Sequence, residues 1–371
     1  MAEAAYQHSV PSPVAHAVID LSANENPLGP SPKVAEAIRS ELNGLHRYPS
    51  REGTRLCNLL ANQLIVDSAC LMLGNGASEL LDVAARTLLQ PGDQALIPVP
   101  SFMPYQKVVE RAGAQAITVA ADSGGVDLQQ LAAHVTEHTR LVILGNPNNP
   151  TGAVIHETEL RAFMTQLPER VIVVIDEAYV EYVDDPHYPD CIRLVQQGAP
   201  LLVLRSLSKA YGLAGLRIGY AIGSPHLIAR LNACCQFYNT NALAQAAACA
   251  ALQDQAHLNR TRCLNREGID YLTQALSILG FKLWPSQANF VLAELPVSVN
   301  DDAEALLEYL AQQGVLLKSM RRFGLPRCVR ISTGLMSDNH TLVQALTQWL
   351  QRAHGNTDNR PVRAISSVPA S

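Results

Sequence analysis

The apolar run VIVVI at residues 171–175 constrains the fold of this chain more than any other segment. A strand with one face in water alternates apolar and polar side chains, whereas every position of this run is apolar. Such a strand is buried on both faces, which is typical of the centre of a parallel sheet covered by helices. The run therefore predicts an α/β architecture.

Shorter apolar segments lie on both sides of this run, with helical patterns between them. We predict further strands at residues 70–73, 95–99, 116–120, 141–144, 201–204 and 218–222, and helices at residues 77–90 and 105–112. Strands joined through helices form crossover units. The pattern predicts a large α/β domain with a mostly parallel central sheet flanked by helices.

The pattern changes after about residue 250, where helices dominate. We predict helices at 256–279, 303–313 and 340–353 with short strands at 289–292, 315–317 and 329–331, which together make a smaller α+β domain. The proline-rich N-terminus predicts an extended arm and a helix from Lys33. The expected division is residues 1–45 (arm and helix joining the small domain), 46–255 (large domain), 256–354 (small C-terminal domain) and 355–371 (disordered tail).

Composition narrows the possible partners and the compartment. The net charge is −5 and no basic stripe is present, which argues against nucleic acid and anionic membranes as partners. No apolar run approaches the roughly 20 residues of a membrane span, and the N-terminus lacks the pattern of a signal peptide. The eight cysteines are scattered without a CxxC pair, which favours free thiols in the cytoplasm.

The segment LLVLRSLSKAYGLAGLRIGY at residues 201–220 carries the first candidate site. A buried strand delivers Ser206, Ser208 and Lys209, and Arg217 opens what we predict to be the next strand. The lysine can form an imine with a carbonyl. The hydroxyls and the guanidinium suit a phosphate. The alternative is a solvated lysine and arginine that follow a core strand.

Two other strand ends carry polar side chains. Asp176 ends the 171–175 run, and a buried carboxylate there needs a partner. A protonated pyridine nitrogen would serve, because the carboxylate keeps it charged. Tyr179 and Asn149 could both reach the phenolic oxygen of such a ring. Each also has a structural interpretation, since Asp176 can cap a helix and Asn149 lies in a turn-rich loop.

The glycine-rich turn GNGASE at residues 74–79 predicts an anion site, because the amides of Ala77 and Ser78 would lie at a helix N-terminus. A dinucleotide fingerprint is excluded, since the third glycine and the later acidic residue are missing. The pattern HVTEH at residues 134–138 formally matches a zinc-protease motif. It has no third ligand at useful spacing, so we expect no metal.

Together these motifs resemble the fold-type I pyridoxal phosphate enzymes, specifically the class-II aminotransferases, with the closest resemblance to the histidinol-phosphate aminotransferase family. The resemblance covers nearly all of residues 21–353. It rests on LSANENPLGPSP, HRYPS, GNGASE, PVPSFMPY, NPNNPTG, DEAYVEY, SLSKAYGLAGLRIGY and GLPRCVRIS, in that order.

The resemblance implies a role for each matching residue. Lys209 would hold pyridoxal phosphate covalently, Asp176 would pair with the pyridine nitrogen, and Phe102 would stack on the ring. Further cofactor contacts are implied for Tyr179, Asn149, Ala77, Ser78, Ser206, Ser208, Arg217 and, from the other subunit of a homodimer, Tyr48. Substrate-anion contacts are implied for Asn24, Arg330 and Lys318.

Departures from the family pattern concern the substrate rather than the cofactor. Relatives often have arginine where this chain has Lys318, and a lysine point charge does not replace an arginine fork. The resemblance implies an amino donor and a 2-oxo acid as substrates. The alternatives are an aromatic aminotransferase, a phospho-amino-acid decarboxylase on the same scaffold, or a regulator without catalysis.

Overall fold

The computed structural model describes residues 18–121, 125–299 and 302–355. The predicted tail lies almost wholly outside this part of the chain. The helices are α1 (Pro32–Glu41), α2 (Thr54–Leu64), α3 (Ala77–Leu88), α4 (Pro104–Arg111), α5 (Leu128–Ala133), α6 (Glu157–Gln166), α7 (Cys191–Gln196), α8 (Pro225–Cys234), α9 (Ala242–Leu252), α10 (Gln255–Ile278), α11 (Ala303–Gln312) and α12 (Met336–Gly355).

The strands are β1 (Ile19–Asp20), β2 (Leu71–Gly74), β3 (Gln94–Val99), β4 (Gln115–Ala120), β5 (Thr139–Gly145), β6 (Ile172–Asp176), β7 (Leu201–Ser206), β8 (Gly219–Ile222), β9 (Lys282–Leu283), β10 (Phe290–Glu294), β11 (Val315–Leu316), β12 (Lys318–Ser319) and β13 (Cys328–Ser332).

The large sheet has seven strands in the order β2-β8-β7-β6-β5-β3-β4. Strand β8 runs antiparallel to both of its neighbours, and the other adjacent pairs are parallel. The prediction of a mostly parallel central sheet is confirmed, and each predicted strand of residues 70–222 is present within two residues of its expected ends.

Strand β6 lies at the centre of this sheet and is covered on both faces. Val173 and Ile175 pack into the apolar cluster on one side, and Val174 packs into the cluster on the other. All three are at most 1% exposed. The absence of a polar position in the run follows from this double burial.

The chain after residue 255 builds a second, smaller layer. Helix α10 leads into an antiparallel sheet of order β12-β13-β10-β9. Helices α10 and α11 contact this sheet, and α12 packs against both of these helices. Strand β1 of the N-terminal arm pairs in parallel with β11, so the arm joins this part of the molecule. None of the helices in the described ranges is long and apolar enough to cross a membrane.

The position of Arg217 differs from the sequence prediction. We expected it to open a strand, but its φ is 56° and β8 begins two residues later, at Gly219. The left-handed backbone turns the chain here before the strand starts. Helix α12 also begins one turn earlier than predicted, at Met336.

Candidate active site

One cleft lies at the carboxyl ends of β5, β6 and β7, beside the first turn of α3. Parallel strands place their final side chains at the same edge of a sheet, which is where α/β folds bind ligands. Twelve of the predicted residues line this cleft: Asn24, Ala77, Ser78, Phe102, Asn149, Asp176, Tyr179, Ser206, Ser208, Lys209, Arg217 and Arg330.

Lys209 follows the end of β7 and reaches into the cleft, where its Nζ donates to the Ala23 carbonyl at 3.0 Å. Burial, together with the positive charges of Arg330 and Arg217, lowers the pKa of this amine to about 8, although the negative charges of Glu25 and Asp176 oppose the shift. A larger fraction of the amine is therefore neutral near pH 7. A neutral amine is the form that acts as nucleophile or base.

Asp176 is the last residue of β6 and is 9% exposed. Its carboxylate accepts hydrogen bonds from Tyr105 Oη at 3.0 Å and from the Ala178 amide at 3.1 Å. Burial raises its pKa to about 6, although these hydrogen bonds oppose the rise. No cationic side chain of the described residues forms an ion pair with it, so the carboxylate is available for a cationic ligand.

Tyr105 was missed by the sequence interpretation. It was assigned only to the apolar pattern of a helix, and it is 2% exposed in α4. Its partner Asp176 lies 71 residues further along the chain, so no local pattern signals the contact. The motif PVPSFMPY was the only available indication that this position matters.

Three hydrogen-bonded residues, Asn24, Tyr179 and Ser332, form the opposite wall of the cleft. Asn24 Nδ2 donates to Tyr179 Oη at 2.9 Å, and Ser332 Oγ donates to Asn24 Oδ1 at 2.8 Å. Burial raises the pKa of Tyr179, so its hydroxyl remains a donor. This group connects the N-terminal arm to β13 and to the segment after β6.

Arg330 is 6% exposed at this wall. It donates from Nη1 to Asn149 Oδ1 at 2.7 Å and from Nη2 to the Ser22 carbonyl at 2.7 Å, while its buried Nε has no hydrogen-bond partner. Burial lowers its pKa. A buried guanidinium without a carboxylate partner indicates a site for an anion.

At the other end of the cleft, backbone amides, two hydroxyls and a guanidinium form a site for an anion, which we call the anion cradle. Helix α3 begins at Ala77 after Gly76, which has a φ of 80°, so the amides of its first turn are directed at the cleft. Arg217 Nη1 donates to Ser208 Oγ at 3.4 Å, and Ser206 Oγ accepts from the Ser208 amide at 3.1 Å. A Cβ on Gly76 would overlap the Arg217 guanidinium.

Two predicted site residues do not line the cleft of this chain. Tyr48 is 82% exposed and stacks on Tyr238, with 4.8 Å between the ring centroids. Lys318 lies on β12 opposite Arg330 in the strand register. Phe102 does line the cleft and makes an edge contact with Tyr105 at 5.6 Å. His134 and His138 are exposed.

The residues present fit pyridoxal phosphate. The ligand carries a cationic ring nitrogen, an aldehyde and a phosphate, and the cleft offers a buried carboxylate without a cation, an amine of lowered pKa and an anion cradle. These three features lie at neighbouring strand ends. The fold and the cleft therefore define a fold-type I, pyridoxal phosphate-dependent transferase.

Comparison with known proteins agrees with this class. The profile of the family "Aminotransferase class I and II" matches residues 16–346, and the chain belongs to this family. A histidinol-phosphate aminotransferase of Moorella thermoacetica is 40% identical over 90% of this chain and 86% of its own length. The chain is therefore a pyridoxal phosphate-dependent aminotransferase.

Solved structures of an aminotransferase and of a decarboxylase share this fold. A histidinol-phosphate aminotransferase of Sinorhizobium meliloti, solved in complex with pyridoxal-5'-phosphate, superposes with a TM-score of 0.83 at 28% identity, over 91% of this chain and 92% of that one. An L-threonine-O-3-phosphate decarboxylase of Porphyromonas gingivalis has a TM-score of 0.78 at 25% identity, over 90% and 100% of the chains.

Proposed function

We propose that this enzyme transfers the amino group of histidinol phosphate to 2-oxoglutarate, giving imidazole-acetol phosphate and glutamate in histidine biosynthesis. Both substrates carry an anionic group in addition to the reacting centre. The structural observation that carries the proposal is Arg330, a buried guanidinium at the cleft with an unpartnered Nε. The curated relatives at about 40% identity support the same substrate.

In this proposal Lys209 is the catalytic base and acid. When bound, pyridoxal phosphate supplies an electron sink for the carbon that loses its proton. Lys209 Nζ carries that proton between two carbon atoms, which its lowered pKa favours. Asp176 holds the ring nitrogen protonated, and Tyr179 and Asn149 bind the phenolic oxygen.

Binding is divided between the two ends of the cleft. The proposed phosphate contacts of the cofactor are the amides of Ala77 and Ser78, the hydroxyls of Ser206 and Ser208, and the Arg217 guanidinium. Phe102 covers the ring face. At the other end Asn24 and Arg330 recognise the phosphate ester of the donor and a carboxylate of the acceptor in turn. Lys318, which lies outside the cleft lining and opposite Arg330 in the strand register, is proposed to add its positive charge from β12.

We further propose a homodimer with shared active sites, in which Tyr48 binds the cofactor phosphate of the other subunit. Its side chain is exposed and stacks on Tyr238, and Tyr238 and the preceding Phe237 are 43% and 64% exposed. An aromatic surface of this kind is typical of protein interfaces. The cytoplasm is the proposed compartment, since the scattered cysteines are all free.

The proposed domain division keeps the boundaries inferred from the sequence. Residues 46–255 contain the seven-stranded sheet, and residues 256–354 contain the four-stranded one. Residues 1–45 are proposed to join the small domain through β1, which pairs with β11, whereas α1 packs against α9 of the large domain. The helix α10, which starts at Gln255, supports a boundary at this point.

The test is a half-reaction screen on the purified holoenzyme. Histidinol phosphate should convert the bound cofactor to its amino form, seen as a loss of visible absorbance, and 2-oxoglutarate should restore it with release of glutamate. Histidinol without phosphate and phenylalanine are the controls and should react more slowly. A faster reaction with phenylalanine would favour an aromatic aminotransferase, and carbon dioxide release from a phospho-amino acid would favour a decarboxylase.

A further inference from the structure

Asp176 and Ser206 line the cleft on one face of the large sheet. Their chain neighbours Glu177 and Arg205 lie on the opposite face, which we call the reverse face. Successive side chains of a strand point to opposite faces. Asp176 shares its face with Val174, while the next residue, Glu177, continues the face of Val173 and Ile175. In β7 the same alternation separates Ser206 from Arg205.

On that reverse face Glu177 and Arg205 form an ion pair. Arg205 Nε donates to Glu177 Oε2 at 2.8 Å, and the two side chains are 15% and 0% exposed. Burial alone would lower the pKa of Arg205, but Glu177 and, after it, Tyr220 and Glu181 hold this pKa well above its ordinary value. The Glu177 amide also donates to the Leu204 carbonyl at 2.8 Å. The ends of β6 and β7 are thus joined by both main chain and side chains.

Tyr188 extends this contact to a third strand end. Its buried hydroxyl donates to the Asn146 carbonyl and lies 3.4 Å from Glu177 Oε1. Asn146 follows β5 directly and begins the loop that carries Asn149. Burial beside Glu177 raises the pKa of Tyr188 well above its ordinary value, so the hydroxyl stays a donor. We call Glu177, Arg205 and Tyr188 the reverse-face network.

We propose that the reverse-face network positions the cofactor-binding side chains at the ends of β5, β6 and β7, and so determines how firmly pyridoxal phosphate is retained. The inference rests on the cofactor contacts proposed above for Asp176 and Ser206. These residues bind opposite ends of one rigid ligand, so the distance between them must match its length. A network that contacts neither the cofactor nor the substrate sets that distance.

The mildest test is Tyr188→Phe, which removes only the donor to Asn146. Loss of one donor to a buried carbonyl should weaken retention of pyridoxal phosphate by about tenfold, or roughly 1.4 kcal/mol. Retention is measured on the holoenzyme as visible absorbance remaining after dilution. The pH midpoint of that absorbance should also shift, because a displaced Asp176 would stabilise the protonated ring nitrogen to a different degree.

Tyr182→Phe is the matched control. Tyr182 is a buried tyrosine of the same segment, and its hydroxyl makes no hydrogen bond within the described residues. Its removal should leave retention and the absorbance midpoint at the wild-type values. Equal retention in the two variants, with equal losses of thermal stability, would assign Tyr188 a structural role only and overturn the proposal.

Glu177→Gln is the stronger variant, because it leaves the Arg205 guanidinium without its carboxylate. It should weaken retention more than Tyr188→Phe does. Should it not fold, Tyr188→Phe decides alone. Asp176→Asn distinguishes failure of the proposed cofactor contact from failure of the positioning role. Normal retention and absorbance in Asp176→Asn would contradict the cofactor contact. Weak retention in Asp176→Asn together with normal retention in Tyr188→Phe would overturn only the positioning role.

Discussion

At the scale of single residues, burial brings the pKa values of a base and an acid close together. The pKa of Lys209 is lowered to about 8 and that of Asp176 is raised to about 6, with desolvation as the main cause of both shifts. Desolvation in the cleft therefore disfavours the charged form of each group. This leaves Lys209 reactive near neutral pH and Asp176 in need of a cationic partner.

The Lys209 shift has a consequence for stability. Between about pH 8 and its ordinary pKa of 10.5, the unfolded chain binds this proton more than the folded chain does, so stability rises with pH in that window. We expect Lys209→Met to be more stable than wild type at pH 7, and expect this advantage to shrink toward pH 10. Thermal unfolding of the two cofactor-free proteins at both pH values measures it.

Lys107→Met provides the control for this measurement. Lys107 is an exposed lysine of α4, so its removal tests the effect of losing a surface charge. Its stability difference from wild type should change little between the two pH values. An advantage of Lys209→Met that stayed constant with pH would contradict the desolvation argument.

At the scale of elements, the sheet could be predicted from the sequence and several helices could not. Runs such as VIVVI are apolar because both faces are covered, which is a local signal. Helix α9, with the sequence ALAQAAACAAL, packs against α1 and α2 but offers no contrast between its faces. Alanine fits a helix on any side, so the apolar pattern of this segment does not predict a helix.

The candidate site, like the helices, could be predicted only in part from the sequence. Its main members could be predicted because they follow apolar strands within a few residues. The pairing of Asn24 with Tyr179 joins positions 155 residues apart, and that of Arg330 with Asn149 joins positions 181 apart. Such contacts depend on how the arm and the small sheet pack against the large one, which no single segment specifies.

The start of α3 provides an element-scale prediction. Gly76→Ala would place a Cβ on the Arg217 guanidinium at a backbone φ of 80°. We expect retention of pyridoxal phosphate to weaken by about tenfold or more, because one charge-assisted contact is worth roughly 1.5–3 kcal/mol. The measurement is cofactor loss from the holoenzyme on dilution.

Gly92→Ala is the matched control, since Gly92 has a φ of 94° but open space around its Cβ. It strains the backbone to a comparable degree, about 1–2 kcal/mol, without touching the cleft. Both variants should lose thermal stability, and only Gly76→Ala should lose cofactor. Similar retention in the two would show that Arg217 has room to move.

At the scale of the whole molecule, the exposed Tyr48 bears on assembly. Tyr48→Phe keeps the ring stacked on Tyr238 and removes only the hydroxyl. With shared active sites, we expect about tenfold weaker cofactor retention from the loss of one hydrogen bond to a charged group, at an unchanged dimeric mass in solution. Tyr238→Phe should retain the cofactor normally. A fully active monomer would refute the assembly.

The N-terminal arm has a further consequence for how this enzyme can be recombined with its relatives. The carbonyls of Ser22 and Ala23 accept from Arg330 and Lys209, and β1 is a partner of β11. The arm is thus adjacent in space to the last third of the chain and distant from it in sequence. A chimera that exchanges the small sheet for that of a relative should take residues 18–31 from the same parent, because a single crossover point would separate two segments that contact each other in the fold.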